Sequence, residues 1–167
     1  MKKTIFDWLE SYKPENDIYF LTLTTRFPQN QYEFQKALQL WIRKLKYAYF
    51  GRKECPEIFH ITVFERTFAE ALHAHILIED LSKVESTKTF KPTKEFPILA
   101  CSIWNRLDIS GQPIAQNIQR VYEFNGVLSY LLKDQWCSKK FDDIPLNLMS
   151  LPTKYLHHHS HVLTDNQ

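Results

Sequence analysis

A short alternating run gives the strongest indication of the fold: Leu72-His73-Ala74-His75-Ile76-Leu77-Ile78. Successive side chains of a β-strand point to opposite faces of the sheet. The spacing therefore predicts one apolar face that packs on helices. Its members are Leu72, Ala74, Ile76 and Ile78. His73 and His75 would share the other face, one pleat repeat apart.

The residues before this run predict its neighbour in the sheet. Residues 57–67 have the composition of a strand, and only Phe68-Ala69-Glu70 separates them from a strand at 71–80. Such a short connection is typical of a hairpin, so we expect the two strands to be antiparallel neighbours. Glu65 would then lie across the hairpin from the two histidines, whereas His60 falls on the opposite face.

The rest of the chain supplies further strands and three helices. Further strands are predicted at 18–26 and 115–124, and helices at about 30–49, 93–107 and 126–136. The fold class predicted from this order is α+β. We expect a central antiparallel β-sheet with helices packed on one face, in a ferredoxin-like or RRM-like arrangement.

Composition excludes several classes of protein. The 167 residues suffice for one domain, and 44% hydrophobic with 24% charged residues excludes wholesale disorder. The chain has only three glycines and no Walker-type phosphate loop, so we expect no NTPase. No stretch approaches the roughly 18 apolar residues of a membrane span. Cys55, Cys101 and Cys137 form no CxxC pair, which favours reduced thiols in the cytoplasm.

Basic residues are concentrated between positions 26 and 53, although the net charge of the chain is only +2. They are Arg26, Lys36, Arg43, Lys44, Lys46, Arg52 and Lys53. Glu33 is the one acidic residue in that stretch. A positive helix can follow the phosphates of a nucleic acid, or it can be an ordinary solvated helix face.

The two histidines and the glutamate across the hairpin suggest a metal site. Imidazoles of His73 and His75 can chelate one divalent ion without a change in the backbone, and Glu65 would be the third ligand. Two histidines and one carboxylate leave coordination positions open, as a catalytic metal requires. The alternative is that the histidines are hydrogen-bonded residues on a half-exposed sheet face.

A second candidate for chemistry is the helical segment Leu128-Ser129-Tyr130-Leu131-Leu132-Lys133. Tyr130 and Lys133 are three residues apart, hence neighbours on a helix, and both lie off its apolar side. A tyrosine with a nearby cation or metal is a candidate nucleophile, because positive charge favours the phenolate. The alternative is a surface Tyr–Lys pair.

Three motifs together resemble the HUH endonuclease superfamily. They are Phe20-Leu21-Thr22-Leu23-Thr24, His73-Ala74-His75 and Tyr130-Leu131-Leu132-Lys133, in the order typical of that family. The resemblance covers about residues 18–136. It is greatest to single-tyrosine initiators of rolling-circle replication in plasmids and phages. No second tyrosine lies one turn from Tyr130, which disfavours the two-tyrosine subclass.

The resemblance implies a function and a set of roles. Residues 1–137 would be the endonuclease domain, with its core at 18–136, and 138–167 a C-terminal extension. Mg²⁺ or Mn²⁺ would be bound by His73, His75 and Glu65. Tyr130 would attack a DNA phosphate to form a 5′-phosphotyrosine, with Lys133 balancing charge.

The implied partners are nucleic acid and the replication machinery. Single-stranded DNA or a hairpin at a replication origin would be the substrate, held in part by the basic residues between 26 and 53. A host helicase and polymerase would be further partners, no membrane is involved, and the compartment would be the cytoplasm.

Other functions fit the same residues. A single-tyrosine transposase or a plasmid relaxase shares the chemistry, and length does not separate them from an initiator. A non-catalytic nucleic-acid-binding module would use the sheet without a metal. A structural metal protein would use the tail histidines, which are His157, His158, His159 and His161.

Overall fold

The computed structural model describes residues 2–26, 30–54, 56–66, 72–87, 91–111, 116–132 and 149–152. Within these ranges the chain forms four helices and four strands. In chain order they are α1 (Lys2–Glu10), β1 (Ile18–Thr24), α2 (Gln31–Phe50), β2 (His60–Arg66), β3 (Leu72–Glu79), α3 (Phe96–Trp104), β4 (Asn117–Val121) and α4 (Phe124–Leu131). In this part of the chain, no helix is both long enough and apolar enough to cross a membrane.

The four strands form one antiparallel sheet in the order β2-β3-β1-β4. Together with α2 between β1 and β2, and α3 between β3 and β4, this is the ferredoxin-like arrangement. The predicted α+β class is confirmed, and so is the antiparallel pairing of β2 with β3. The strand β3 is central, because β1 and β2 flank it.

The first face of the sheet is covered by α2 and α3. Leu72, Ala74, Ile76 and Ile78 are all buried there, as the alternation predicts. The Trp41 indole Nε1 of α2 donates a hydrogen bond to the carbonyl oxygen of Ala100 in α3 at 2.9 Å, which fixes the two helices side by side. We call this the helix-packed face.

The opposite face is covered in part by α1 and α4. Leu77 of β3 is buried there with Leu9 of α1 and with Phe124 and Leu128 of α4. Helices therefore lie on both faces, whereas the sequence interpretation had them on one. The alternation around Leu77 explains the difference, since a second apolar patch also needs a cover. The helix α1 was not predicted at all.

The remaining part of this second face carries polar side chains and is named the histidine face. Its members are Thr22 and Thr24 of β1, Glu65 of β2, and His73 and His75 of β3. Because α1 and α4 cover the end of the sheet near Leu77, the polar end stays accessible.

Several element ends follow local rules. Asn30 caps α2 by accepting a hydrogen bond from the Glu33 amide, and Gly51 ends it with a φ of 80°. Helix α4 begins before its predicted start at 126, because Glu123 is its N-cap. The Glu123 side chain accepts a hydrogen bond from the Gly126 amide, so the helix begins at Phe124.

Candidate functional site

The pairing of β3 with both neighbours fixes the rows of the histidine face. His73 lies opposite Thr24 of β1 on one side and Glu65 of β2 on the other. His75 lies opposite Thr22. His73 therefore has a polar residue on each side, whereas His75 has Val63 opposite it on β2. Glu65 is the diagonal neighbour of His75, within reach of its ring.

His75 forms two side-chain contacts, one at each ring nitrogen. Its Nε2 lies 2.7 Å from Glu65 Oε2, and its Nδ1 lies 3.1 Å from Thr22 Oγ1. The His75 side chain is 12% exposed and that of Glu65 is 37% exposed. In one neutral tautomer Nε2–H donates to Glu65 and the Thr22 hydroxyl donates to Nδ1. In the other, Nδ1–H donates to the Thr22 oxygen.

The second tautomer turns the Nε2 lone pair toward the carboxylate of Glu65. At 2.7 Å the two atoms are joined by a proton, in a hydrogen bond. An imidazole nitrogen and a carboxylate oxygen are also ligands of divalent cations, and an ion would take the place of that proton once the two side chains had moved apart. The donor chemistry of His75 and Glu65 therefore fits a metal ion. Thr22 would hold the other ring nitrogen, as outer-sphere partners of metal-bound histidines do.

Of the predicted set of His73, His75 and Glu65, the contacts join only His75 and Glu65. Among the residues that the structure describes, no group of three or more His, Cys, Asp and Glu side chains is placed to hold a metal ion. His73 lies on the same face, in register with Glu65. Burial lowers the pKa of His73, and the nearby His75 lowers it further, while Glu65 opposes both effects. His73 is therefore held toward its neutral form, which is the form that binds metals.

Tyr130 of α4 reaches the same face. The centroid of its ring lies 6.3 Å from that of His75 and 6.0 Å from that of Phe20, both edge to face. Phe20 in turn stacks on the His75 ring with centroids 5.4 Å apart. The Tyr130 side chain is 47% exposed, whereas Leu128 and Leu131 of the same helix are buried. As predicted, the tyrosine lies off the apolar side of its helix.

A cleft of about 390 Å³ lies where α4 meets β4 and β1. Its wall includes His75 and Tyr130 together with Phe20 and Thr22. Edge strand β4 adds Asn117, Gln119, Arg120 and Val121, and α4 adds Gly126 and Val127. An aromatic floor with amide and imidazole groups around it is suited to a ligand that is part planar ring and part polar.

The end of β1 beside His73 is held tightly. The Thr24 carbonyl oxygen accepts hydrogen bonds from the Gly111 amide at 2.8 Å and from Trp104 Nε1 at 3.1 Å. The Gln116 side chain accepts from the Thr24 amide and donates to its hydroxyl, both at 2.9 Å. A Cβ at Gly111 would lie 2.3 Å from Thr24 Oγ1, so only glycine allows this approach.

The predicted basic residues do not lie at this cleft. Lys36, Arg43, Lys44 and Lys46 belong to α2, whose apolar side packs on the helix-packed face, and Arg52 and Lys53 follow its end. The side chains of α2 are therefore on the other side of the sheet from the cleft. Arg26 is exposed just beyond β1. It is the one member that follows a strand of the histidine face.

Several predicted residues lie outside the described ranges. They are Lys133, Cys55, Cys137 and the tail histidines 157–159 and 161. The neighbour relation between Tyr130 and Lys133 therefore stays a prediction.

The sequence interpretation missed the contributions of Phe20, Thr22, Asn117 and Gln119. For Phe20 and Thr22 a signal existed, because the strand motif 20–24 alternates and puts these residues on one face. For Asn117 and Gln119 no signal existed, since the partner of β4 is distant in sequence.

Comparisons with other proteins identify no relative: no family model matches the chain, and neither a curated protein nor a solved structure is significantly similar to it.

Proposed function

We propose that this protein nicks and rejoins single-stranded DNA with the help of a divalent metal ion, and that it thereby initiates rolling-circle replication. One observation carries the proposal. Tyr130 and His75 come from elements far apart in sequence, yet their ring centroids lie 6.3 Å apart in one cleft. The attacking tyrosine and the residues that bind the phosphate through a metal ion must lie in one site. The short distance between Tyr130 and His75 therefore supports the proposed reaction.

The chemical step is a phosphoryl transfer to Tyr130. Its phenolic oxygen attacks the phosphorus and forms a P–O bond while the bond from phosphorus to the 3′ oxygen breaks. The proton lost by the phenol is taken up in net terms by the leaving 3′ oxygen, so no co-reactant is consumed. The products are a 5′-phosphotyrosine and a free 3′-hydroxyl, and the reverse reaction rejoins a strand.

Residues of the histidine face would prepare the phosphate for this attack. His75 and Glu65, with His73 beside them, would hold Mn²⁺ or Mg²⁺. When bound, the ion would polarise a non-bridging oxygen of the phosphate. Thr22 would keep the His75 ring in one orientation. Lys133 would balance charge near the leaving oxygen, a role that rests on the family resemblance alone.

A second candidate function is a nucleic-acid-binding module without catalysis. One observation favours it, namely that the described side chains form no converged three-residue metal group. Under this alternative, the pair of His75 and Glu65 is a hydrogen bond that stabilises the sheet. Binding of DNA would then require neither Tyr130 nor a metal.

The two functions are separated by a test for a covalent adduct. Protein, labelled single strands from hairpin origins of small circular replicons, and Mn²⁺ are incubated and then denatured. We expect an adduct that survives denaturation with the wild type and none with Tyr130→Phe. Tyr47→Phe is the matched control, because Tyr47 is a half-exposed tyrosine of α2 on the far side of the sheet.

The outcomes are distinct. An adduct that persists in Tyr130→Phe means that another residue is the nucleophile. Tight binding of single strands without any adduct favours the binding module. A transposase or relaxase would form the same adduct, but on strands from the ends of an insertion element or from a transfer origin. Reaction with those strands alone would reassign the biological role and leave the chemistry unchanged.

A further inference from the structure

Tyr122, directly after β4, is the most exposed large hydrophobic side chain among the described residues, at 87%. The guanidinium of Arg120 lies 5.6 Å from the centroid of its ring, and Arg120 also pairs with Asp17. The ring therefore has a cation beside it that is itself fixed to the body of the protein. Cations of this kind reinforce the stacking of bases on aromatic rings.

The strand leading to Tyr122 lines the cleft. Asn117 and Gln119 are both exposed, and the alternation of β4 puts them on the same face of the sheet as His75. Each amide carries a donor and an acceptor, and such groups form paired hydrogen bonds with the edge of a base. Both amides also border the cleft that contains the Tyr130 ring.

The pairing of β4 with β1 shows how far each β4 residue lies from His75 along the sheet. Asn117 lies opposite Thr22, which lies opposite His75, so these three residues form one row across the sheet. Gln119 is in the next row, opposite Phe20. Arg120 lies opposite Tyr19, on the helix-packed face, and Tyr122 lies beyond the end of this edge strand, so a bound strand would pass over the sheet edge between Gln119 and Tyr122. Each step of two residues advances about 6.8 Å along the strand, roughly twice the spacing of stacked bases. That spacing suits an unstacked single strand.

We propose that β4 and Tyr122 form a binding track for bases of single-stranded DNA that leads away from the nicking site. Asn117 and Gln119 contact the edges of a base in the cleft, and Tyr122, supported by Arg120, stacks on a base farther along. The inference rests on the proposed function for the identity of the strand. Base binding itself requires neither the metal nor the nucleophile.

The experiment measures binding without chemistry. Fluorescein-labelled oligothymidylate and oligodeoxyadenylate of about 12 nucleotides are titrated with protein in EDTA, in the Tyr130→Phe background, and anisotropy is recorded. We expect Tyr122→Ala to weaken binding about tenfold, because a stacked base loses its platform, and Tyr122→Phe to bind within about twofold of the parent. Tyr122 is exposed, so none of these variants endangers the fold.

Tyr32 gives a matched control. It is 63% exposed and has the Lys36 ammonium 4.1 Å from its ring centroid, but it belongs to α2, on the other side of the sheet. Tyr32→Ala is expected to bind within about twofold of the parent. If Tyr32→Ala weakens binding as much as Tyr122→Ala does, or if Tyr122→Ala has no effect, the track is not where we propose it.

The two amides are tested by base preference. We expect Asn117→Ala with Gln119→Ala to reduce the difference in affinity between the two oligonucleotides, since edge contacts discriminate bases. An unchanged preference would remove these amides from the track.

Failure of the track and failure of the nicking proposal are distinguishable. If Tyr122→Ala binds like the parent while the wild type forms an adduct at Tyr130, the track is wrong and nicking stands. If Tyr122→Ala weakens binding but no adduct forms with any origin strand, the track stands on a binding module.

Discussion

On the helix-packed face of β3, Leu72, Ala74, Ile76 and Ile78 are at most 1% exposed beneath α2 and α3. On the histidine face Leu77 is just as buried, but two positions earlier His75 has polar partners at both ring nitrogens. The same strand therefore contributes to a dry core on one side and to a polar site on the other. The difference arises because α1 and α4 cover only the Leu77 end of the histidine face.

This contrast explains how polar groups are tolerated beside a core. Burying a polar group without a hydrogen-bond partner costs roughly 1–3 kcal/mol of folding free energy in mutational data. His75 avoids that cost through Thr22 and Glu65, which come from the strands on either side. The helix-packed face relies instead on the packing of apolar side chains. Substitutions on the two faces should therefore have separable effects.

The largest separable effect is expected from His75→Ala. It removes the imidazole that pairs with Glu65, so we expect Mn²⁺ affinity and adduct yield to fall about a hundredfold. The matched change on the helix-packed face is Ile76→Val. We expect it to lower the free energy of unfolding by about 1 kcal/mol and to leave Mn²⁺ affinity nearly unchanged. Isothermal titration and urea unfolding measure the two quantities. Equal Mn²⁺ affinity in His75→Ala and wild type would remove His75 from the site.

The next effect concerns the end of β1 that supports the histidine face. In Gly111→Ala the new methyl group collides with Thr24, whose backbone and hydroxyl are both hydrogen-bonded. We expect a loss of about 2 kcal/mol in the free energy of unfolding, measured in urea.

Gly126→Ala is the matched control for Gly111→Ala. Its Cβ would displace the end of the exposed Glu123 side chain and with it the N-cap hydrogen bond to the Gly126 amide, a loss that the helix preference of alanine partly offsets. We expect a change below about 1 kcal/mol. If Gly126→Ala is the more destabilising of the two, the account of the β1 end is wrong.

A smaller effect is expected from the hydroxyl that contacts His75. Thr22→Val keeps the shape of the side chain and removes its hydrogen bond, so the His75 ring loses its fixed orientation. We expect Mn²⁺ affinity to fall about tenfold, and Thr22→Ser to restore it. The ¹⁵N chemical shifts of His75 without metal report the tautomer directly. Identical shifts in the valine and serine variants would contradict a positioning role for Thr22.

The smallest effect is expected from the basic helix, which lies on the far side of the sheet. A short single strand in the cleft cannot reach Arg43 and Lys44, whereas a hairpin that extends around the sheet can. The double variant Arg43→Glu, Lys44→Glu should make the slope of log binding constant against log salt concentration less steep for a hairpin, by the equivalent of about two phosphate contacts. The slope for a short strand should stay unchanged. Equal changes for both ligands would mean that the strand itself lies along α2.

Much of this arrangement was predictable because it depends on local patterns. The alternation at 72–78 predicted both faces of β3, and the short connection at 68–70 predicted its pairing with β2. The helical spacing at 128–133 predicted that Tyr130 lies off the apolar side. In each case the relevant distances are set by neighbours in sequence.

The parts that were missed depend on contacts between distant segments. The contact of Thr22 with His75 requires the register of β1 against β3, and the position of Asn117 requires that of β4 against β1. The basic residues of α2 were visible in the sequence, but the face on which that helix packs was not. Charge clustering therefore predicted a positive helix, but it did not predict on which side of the sheet that helix lies relative to the cleft.

The central claim is that Tyr130 becomes covalently linked to DNA. The direct measurement is mass spectrometry of the protein after reaction with a labelled origin strand and Mn²⁺, followed by digestion with nuclease and protease. The account predicts a nucleotide attached to the peptide that contains Tyr130, with fragment ions that localise the added phosphate to that residue. A nucleotide on another residue, or none on any peptide although the strand has been cut, would contradict it.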